Sequence, residues 1–379
     1  MEDIKIYVGK IILDRLYAYT HSTIDVRFTK NSSDFVVEEI PLYEFSGSGE
    51  HLVCKLRKKD TTTWEALKVL SEYCGIKQRD FGYAGLKDKD GFTTQYISIH
   101  KKYEEKLSNF HHDKIKIVEK TYHDNKLKIG HLKGNRFFIR LKKVNPTQAT
   151  IIKEVAKKIS DFGIPNYFGY QRFGKDGDNY ELGKAILEGK KRERNKKKRN
   201  FFISAYQSHL FNLWLSKRVE ISRLFESFSQ KELFELFNYP KEVITLIKKQ
   251  KNYFKLLPGD RLSHYPYGRI FLCEDLESES ERFYQKDITI TGLLVGKKTP
   301  KAEGLAGNLE KDFTKISEKF EDQLNGARRF AWIFPEDFKT TYKKEEAWME
   351  LEFFLPKGSY ATTLLEELLH IHLETQSSK

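Results

Sequence analysis

The sequence has none of the glycine-rich loops by which many enzymes hold a nucleotide or expose a serine nucleophile. No GxGxxG follows a predicted strand, because 46-SGSG-49 lacks the third glycine. A GxxxxGK[ST] phosphate loop and a GxSxG elbow are also absent. These absences argue against nucleotide-driven chemistry and against an α/β-hydrolase. An enzyme with this sequence is therefore expected to use side chains alone, without a cofactor.

Long apolar runs and paired cysteines are lacking too. No run approaches the roughly 20 residues that span a bilayer, and the N-terminal MEDIKIYVGKIILDRLY does not resemble a secretory signal. The three cysteines, Cys54, Cys74 and Cys273, form no CxxC pair. We expect them to be buried, reduced thiols rather than zinc ligands. The sequence therefore predicts a cytoplasmic protein with no metal and no membrane partner.

What the sequence does have is an excess of positive charge. Lys and Arg total 67 against 54 Asp and Glu, a net charge of +13. Such a surface attracts anionic partners, of which nucleic acid is the usual one, although charge alone does not exclude an anionic membrane. Aromatic residues make up 14% of the chain. Cations for phosphates together with rings for unstacked bases predict RNA as the partner.

The chain is long enough for two domains, because 379 residues exceed the size at which one hydrophobic core stops growing. Residues 60–75 predict an amphipathic helix with a Thr62–Glu65 capping box and an apolar stripe of Trp64, Leu67, Leu70 and Tyr73/Cys74. Residues 125–142 predict a hairpin with Gly134-Asn135 between its strands. Further strands are expected at 35–40, 51–57, 94–100, 288–296 and 347–356.

Two segments in the middle of the chain are candidates for contact with a ligand. Residues 163–179 form a glycine- and aromatic-rich loop that contains Arg172, which is typical of a domain junction or a binding loop. The run 190-KKRERNKKKRN-200 then places eight basic residues among eleven. Such a run is either a phosphate-contacting patch or a solvated loop, and both interpretations stay open. An apolar helix is expected at 201–219.

The segment 84-AGLKDKDGFTTQ-95 also has two interpretations. Asp90-Gly91 is a common turn pair, so an ordinary hairpin turn is the default from local spacing. The segment could instead present Asp88 as a catalytic carboxylate, one way for an enzyme without a cofactor to obtain a nucleophile. Local sequence does not decide between them.

Seven segments together resemble the TruD family of tRNA pseudouridine synthases. The segment 84–95 is similar to the family signature AGxKDxxAxTxQ, and the other six follow the family's order: NSSDFVVEE (31–39), LKGNRFF (132–138), GIPNYFGYQRFG (163–174), RNKKKRNFFISAYQSHLFN (194–212), 327-ARRF-330 and 355-LPKGSYAT-362. Gly91 stands where the family usually has Ala, and Ser32 where it has Pro. Both departures lie in loops, so the reaction class is unaffected.

The resemblance implies roles for individual residues. Asp88 is the essential carboxylate, which either adds to C1′ or removes a proton from C2′ of the ribose. Phe35, Asn135 and Tyr360 are implied as substrate contacts, and Phe137 is a further candidate for stacking. Core packing is the alternative role for Phe35 and Phe137, and a plain turn role for Asn135. A cation near Asp88 should offset its burial, and Arg172 or Lys30 is the predicted residue.

The resemblance also implies the fold and the activity. The expected fold is α+β: a pseudouridine-synthase catalytic domain with a mixed, mainly antiparallel sheet and helices, interrupted by an inserted α/β (TRUD) domain. The predicted boundaries are 1–162, 163–325 and 326–379. The expected activity is isomerisation of a tRNA uridine, at position 13 in the D arm, to pseudouridine by a monomer with no obligate protein partner. The alternative is a non-catalytic RNA-binding protein on the same scaffold; an RNA methyltransferase would need the glycine-rich cofactor loop that is missing.

Overall fold

The structure, a computed structural model, describes residues 15–87, 89–174 and 176–373. Its strands are β1 (Arg27–Phe28), β2 (Phe35–Pro41), β3 (His51–Lys59), β4 (Gly82–Tyr83), β5 (Phe92–His100), β6 (Ile115–His123), β7 (Leu132–Lys142), β8 (Ile164–Pro165), β9 (Arg261–His264), β10 (Ile270–Leu272), β11 (Ile288–Leu294), β12 (Ala327–Phe330), β13 (Trp332–Ile333), β14 (Glu336–Lys343) and β15 (Trp348–Pro356). Its helices are α1 (Thr63–Cys74), α2 (Pro146–Phe162), α3 (Asn179–Leu187), α4 (Lys196–Ser227), α5 (Gln230–Phe237), α6 (Lys241–Lys249), α7 (Leu276–Tyr284), α8 (Gly304–Ser317) and α9 (Ala361–Leu369).

The chain divides into two compact units. The sheet unit consists of the described parts of Ile24–Ser160 and Pro335–Ala361. The helical unit consists of the described parts of Met1–Thr23, Asp161–Phe334 and Thr362–Lys379. The chain thus leaves the sheet unit and returns to it after a long middle segment. The domain boundaries given above, at 162/163 and 325/326, stay a prediction.

The sheet unit is built on one large sheet. Its strands follow the order β14-β15-β7-β2-β5-β3-β6, with β1 beside β7 and β4 beside β5. The strands β2 and β5 run parallel, while β2–β7, β7–β15, β3–β5 and β3–β6 are antiparallel pairs. The predicted fold class, a mixed and mainly antiparallel sheet with helices, is confirmed.

Helix α1 forms where the sequence predicts it, but its buried face is different. Thr62 and Glu65 make the capping box, and Gly75 ends the helix in the left-handed conformation at φ +62°. The buried side chains of α1 pack on Leu52, Cys54, Leu56, Ile97 and Ile99 of β3 and β5. The predicted stripe is wrong at Trp64 and Tyr73, which are 49% and 47% exposed. Thr63 and Ala66 are buried instead, because with Leu67, Leu70 and Cys74 they follow the i, i+3, i+4, i+7, i+11 spacing of one helix face.

The predicted hairpin at 125–142 is wrong. Gly134 and Asn135 lie inside the single strand β7, which pairs with β2 and β15 along its length. Gly134 is required there by a close approach, since a Cβ atom would lie 2.2 Å from the carbonyl oxygen of Leu355. A glycine in the interior of a strand often marks a bulge, a bend or a close approach of another backbone.

The helical unit contains α4, a helix of 32 residues, beside a sheet of order β10-β9-β11-β12. The helix lies close on β11, because a Cβ at Gly292 would lie 2.1 Å from the Trp214 ring. The predicted helix at 201–219 is confirmed but begins at Lys196. The second half of the basic run is therefore helical. Among the described residues, no helix has both the length and the apolar character needed to cross a membrane.

Candidate active site

The candidate nucleophile Asp88 lies outside the described residues, but both ends of its loop are described. Upstream, the Lys87 N–H donates to Thr63 Oγ1 at 2.8 Å, and the Thr63 N–H donates to the Lys87 carbonyl at 3.3 Å. Downstream, the Asp60 N–H donates to the Gly91 carbonyl at 3.2 Å. The segment that leads into α1 therefore fixes both ends of the loop.

Gly91 has a structural reason to be glycine. Its φ is +94°, and a Cβ atom would lie 2.6 Å from the carbonyl oxygen and 2.8 Å from Cδ1 of Phe35. A side chain would thus be strained both by the backbone conformation and by the neighbouring strand. The alanine usual at this place in the family does not fit the loop as it is built here.

Three of the predicted substrate contacts share one face of the sheet. In the antiparallel β2–β7 pair, Val37 lies opposite Phe137, Glu39 opposite Asn135 and Phe35 opposite Ile139. Residues directly opposite each other, and residues two apart on a strand, project from the same face. Phe35, Phe137 and Asn135 therefore line a common surface of the sheet unit.

Phe35 and Phe137 are mainly packing residues. Their ring centroids lie 6.2 Å apart, and Phe137 stacks on Phe353 at 5.4 Å. Only 9% of Phe35 and 7% of Phe137 is exposed. A ligand can thus meet only a ring edge at either residue, in the arrangement the structure shows.

Lys87 and Glu39 form a buried ion pair beside Asn135. Lys87 Nζ lies 3.1 Å from Glu39 Oε2, and the two side chains are 6% and 0% exposed. The Glu39 Oε1 atom accepts a hydrogen bond from the Tyr96 N–H at 3.1 Å. Lys87 Nζ also donates to Asn135 Oδ1. Sequence reasoning missed both charged residues, although each lies inside a family-like motif.

Tyr360 is brought toward this region by the pairing of β7 with β15. Leu355 lies opposite Asn135 and Pro356 opposite Gly134, at the end of β15. The Lys357 N–H then donates to the Lys133 carbonyl at 3.1 Å, which continues the pairing past the strand. Tyr360 follows after three more residues and is half-buried. Two motifs more than 200 residues apart in sequence thus meet at one edge of the sheet.

The turn before β2 is fixed by a buried carboxylate. Asp34 Oδ2 accepts hydrogen bonds from Lys142 at 2.6 Å, from Asn31 at 2.7 Å and from Thr29 at 3.0 Å. Burial raises the pKa of Asp34, but these hydrogen bonds outweigh it and hold the pKa below its ordinary value. The half-buried Lys30 lies in this turn. Its pairing with Asp88 stays a prediction.

Arg172 belongs to the helical unit. Its guanidinium donates to Ser208 Oγ at 3.2 Å and to Ser204 Oγ at 2.5 Å, both on α4. It also lies 5.3 Å from the centroid of Phe201. These contacts hold the Arg172 side chain against α4. Its pairing with Asp88 also stays a prediction.

The basic run ends on an exposed surface of the helical unit. Asn195 caps α4 by accepting from the Lys197 and Lys198 N–H groups at 3.0 and 3.2 Å. The first turn of α4 has no acidic residue. Cations at this end of a helix oppose its dipole, so the arrangement is unfavourable unless an anion binds there. Arg199 and Asn200 line a cavity of about 330 Å³.

Within the described residues, neither the cysteines nor other side chains form a candidate metal site. Cys54, Cys74 and Cys273 are buried free thiols, as predicted. No group of three or more His, Cys, Asp and Glu side chains in the described ranges could hold a metal ion.

Relatives of this chain cover nearly its whole length. A protein of a Nitratiruptor species named tRNA pseudouridine synthase D is 57% identical over 360 residues, covering 94% of this chain and 98% of that protein. A protein of the same name from Helicobacter pylori is 46% identical over 364 residues, covering 94% and 96%. A crystal structure of a protein from Methanosarcina mazei, described as TruD, is 22% identical and superposes with a TM-score of 0.66, covering 95% of this chain and 97% of that one.

The family comparison gives the same result as the seven motif segments. A family profile described as "tRNA pseudouridine synthase D (TruD)" matches residues 13–197 and 194–368. The match includes the loop of Asp88, the paired strands β2 and β7 and the motif that contains Tyr360. The chain therefore belongs to the tRNA pseudouridine synthase D (TruD) family.

Proposed function

We propose that the protein isomerises a uridine of tRNA to pseudouridine, with the uridine at position 13 in the D arm as its expected target. The observation that carries the proposal is the near full-length identity to proteins named tRNA pseudouridine synthase D, in a chain that keeps the Lys87-Asp88 pair. Membership of an isomerase family supports an enzyme rather than a binding protein on the same scaffold.

The reaction is an isomerisation, so it needs neither a redox step nor a second substrate. The N1–C1′ glycosidic bond breaks, the uracil turns in place, and C5 forms a bond to C1′. A proton leaves C5, and N1 ends the reaction protonated. Asp88 supplies the carboxylate, either by adding to C1′ or by taking a proton from C2′. The target nucleotide must leave its helix to reach the carboxylate, so we propose that the enzyme flips it out.

The uracil is held by the surface that β2, β7 and the end of β15 present. Asn135 supplies hydrogen bonds to the base edge, and the ring of Tyr360 and the exposed edges of Phe35 and Phe137 supply apolar contact. Lys30 or Arg172 supplies the cation that keeps Asp88 ionised. The half-buried Asn135 and Tyr360 leave more surface for a base than the two phenylalanines do.

The net charge of +13 and the basic run support tRNA as the macromolecular partner. We propose that the protein works as a monomer in the cytoplasm and without a membrane. A tRNA substrate supplies enough negative charge to neutralise the cations that oppose the dipole of α4.

The test is pseudouridine formation in an unmodified tRNA transcript with no added small molecule. Wild-type protein should convert the target uridine, and Asp88→Ala should lower the rate by at least about 10³-fold, as expected when a nucleophile is removed. Asp90→Ala is the matched control, because Asp90 is an exposed carboxylate in the same loop. It should keep the wild-type rate.

Binding of the same transcript separates the two candidate functions. Asp88→Ala should keep its affinity for tRNA while it loses the activity. A wild-type protein that binds tRNA and forms no pseudouridine would establish the non-catalytic alternative instead.

A further inference from the structure

We infer that Lys87 and Glu39 set the orientation of the Asn135 amide and thereby make the site select uracil over cytosine. This inference rests on the proposed function. It assigns a positioning role to two residues that the proposed chemistry does not use.

The first step is the orientation of the amide. A lysine ammonium has three donors and no acceptor. The Asn135 atom that meets Lys87 Nζ must therefore be the oxygen, and the NH₂ group must lie on the other side. No described residue accepts a hydrogen bond from Asn135 Nδ2, and Asn135 is half-buried. The NH₂ group and the second lone pair of Oδ1 are thus available to a ligand.

Second, the Lys87 side chain itself cannot turn away from Asn135. Its backbone N–H and its backbone carbonyl are both hydrogen-bonded to Thr63, and its side chain is 6% exposed. Glu39 is fully buried, and its second oxygen is held by the Tyr96 N–H of β5. A buried charge that loses its partner is strongly destabilising, so the ion pair keeps Nζ in place. The position of Asn135 is thus fixed from the backbone of β5 through two charged side chains.

The third step is the match to the base. Uracil offers an N3–H donor between two carbonyl oxygens. Asn135 in this orientation can accept from N3–H and donate to the adjacent carbonyl. Cytosine has an unprotonated N3, which would face Oδ1 lone pair to lone pair. To pair with N3 and N4 of cytosine the amide would have to rotate by 180° and turn its NH₂ group against the Lys87 ammonium.

The cost of that rotation gives the expected selectivity. The hydrogen bond of Asn135 to the charged Lys87 opposes the rotation, and a bidentate contact to a base edge discriminates against the wrong base. We expect roughly a 10- to 100-fold preference for uracil from this contact.

The same contact suits a base that turns during the reaction. When C5 replaces N1 at the sugar, the ring has rotated about the axis through N3 and C6, which exchanges O2 with O4. The N3–H group stays on the axis and has a carbonyl on each side both before and after the rotation. Asn135 can therefore hold uracil in the substrate and pseudouridine in the product by the same two hydrogen bonds.

The experiment measures the ratio of two dissociation constants in protein that carries Asp88→Ala, so that no turnover occurs. The probes are two tRNA transcripts, one with uridine and one with cytidine at the position that wild-type protein modifies. The test variant is Lys87→Met combined with Glu39→Gln, which removes both buried charges together. The preference for uridine should fall from about 10- to 100-fold to less than about threefold, because the amide becomes free to rotate.

The matched control is Lys55→Met combined with Glu38→Gln. This pair also joins a lysine to a glutamate at 2.8 Å in the same sheet, away from Asn135. It should leave the preference unchanged. A general loss of stability would weaken both transcripts alike and would not move the ratio.

Two outcomes separate this inference from the proposed function. A ratio that stays at the wild-type value in a folded Lys87→Met/Glu39→Gln protein overturns the inference alone. If the double variant does not fold, Lys87→Arg gives the second test, because arginine also has only donors and should keep the preference. Wild-type protein that forms no pseudouridine in any tRNA overturns the proposed function instead.

Discussion

Two glycines of the sheet unit show why the structural role of a single residue is only partly predictable from the sequence. Asp90-Gly91 is a common turn pair, and Gly91 does adopt a positive φ. Gly134-Asn135 had the same appearance but lies in a continuous strand. The reason for Gly134 is the backbone of β15, more than 200 residues away. Local propensity has no information about such an approach.

The first prediction concerns Gly91→Ala. It should lower the free energy of unfolding by about 2–5 kcal/mol, because a positive φ costs about 1–2 kcal/mol and the overlap with Phe35 adds about 1–3 kcal/mol. Urea unfolding measures the change. The control is Gly47→Ala, at φ +75° with open space around the added Cβ. It should cost only the about 1–2 kcal/mol of the positive φ, and equal losses in both variants would contradict the close approach.

At the scale of elements, α1 was predictable and its contacts were not. The capping box and the terminal glycine are local signals, and both were read correctly. The predicted stripe is wrong because it follows the large apolar residues Trp64 and Tyr73, whereas the buried face of the helix is the one that carries Thr63 and Ala66. The pairing of β7 with β15 could not be predicted from the sequence either, because the register of strands so far apart in sequence is set by the whole sheet.

Helix α9 carries a buried carboxylate that gives the helical unit a pH dependence. Glu367 Oε1 accepts from the N–H groups of Ala18 and Tyr19 at 2.6 and 3.0 Å. Burial raises the pKa of Glu367 to about 7, against the opposing effect of Arg15. A folded-state pKa above the unfolded value stabilises the fold at low pH, and this stabilisation is lost as the pH rises from about 4.5 through 7.

The second prediction is that Glu367→Gln removes this dependence. Relative to the variant, wild-type protein should lose up to roughly 3 kcal/mol of unfolding free energy between pH 5 and pH 8. Burial lowers the pKa of His209 and of His370 to about 4, which acts in the opposite direction below pH 6.5. The difference between the two proteins isolates Glu367, since both keep the histidines. The exposed Glu352→Gln should follow the wild-type curve, and parallel curves for Glu367→Gln would contradict the account.

At the scale of the whole molecule, the ordered motifs were enough to identify the family from the sequence alone. They succeeded because each motif is local, and their order along 379 residues is improbable by chance. The contact of Lys87 with Asn135 could not be found in the same way. Neighbouring residues of an extended segment point to opposite faces, so the Lys87-Asp88 sequence does not place Lys87 beside Asn135. Only the three-dimensional position of Glu39 shows where the charge of Lys87 is held.

The third prediction concerns the basic run as a contact for RNA. Changing Lys196, Lys197, Lys198 and Arg199 to Gln should flatten the dependence of log affinity on log salt concentration. The slope should fall by about 0.7–0.9 for each phosphate that the variant no longer neutralises. Titration of a tRNA transcript between low and physiological salt measures it.

A variant with the same net charge distinguishes contact from overall attraction. Lys153, Lys157, Lys231 and Lys249 are exposed residues on α2, α5 and α6. Changing these four to Gln should leave the slope near the wild-type value. Equal flattening in both variants would mean that the run contributes only to net charge.

The most direct test of the central claim is pseudouridine mapping of tRNA from three kinds of cells: with the gene, without it, and with the gene carrying Asp88→Ala. The account predicts pseudouridine at position 13 in the first and uridine at that position in the other two. Pseudouridine that persists at position 13 without the gene, or that is restored by the Asp88→Ala protein, would contradict it.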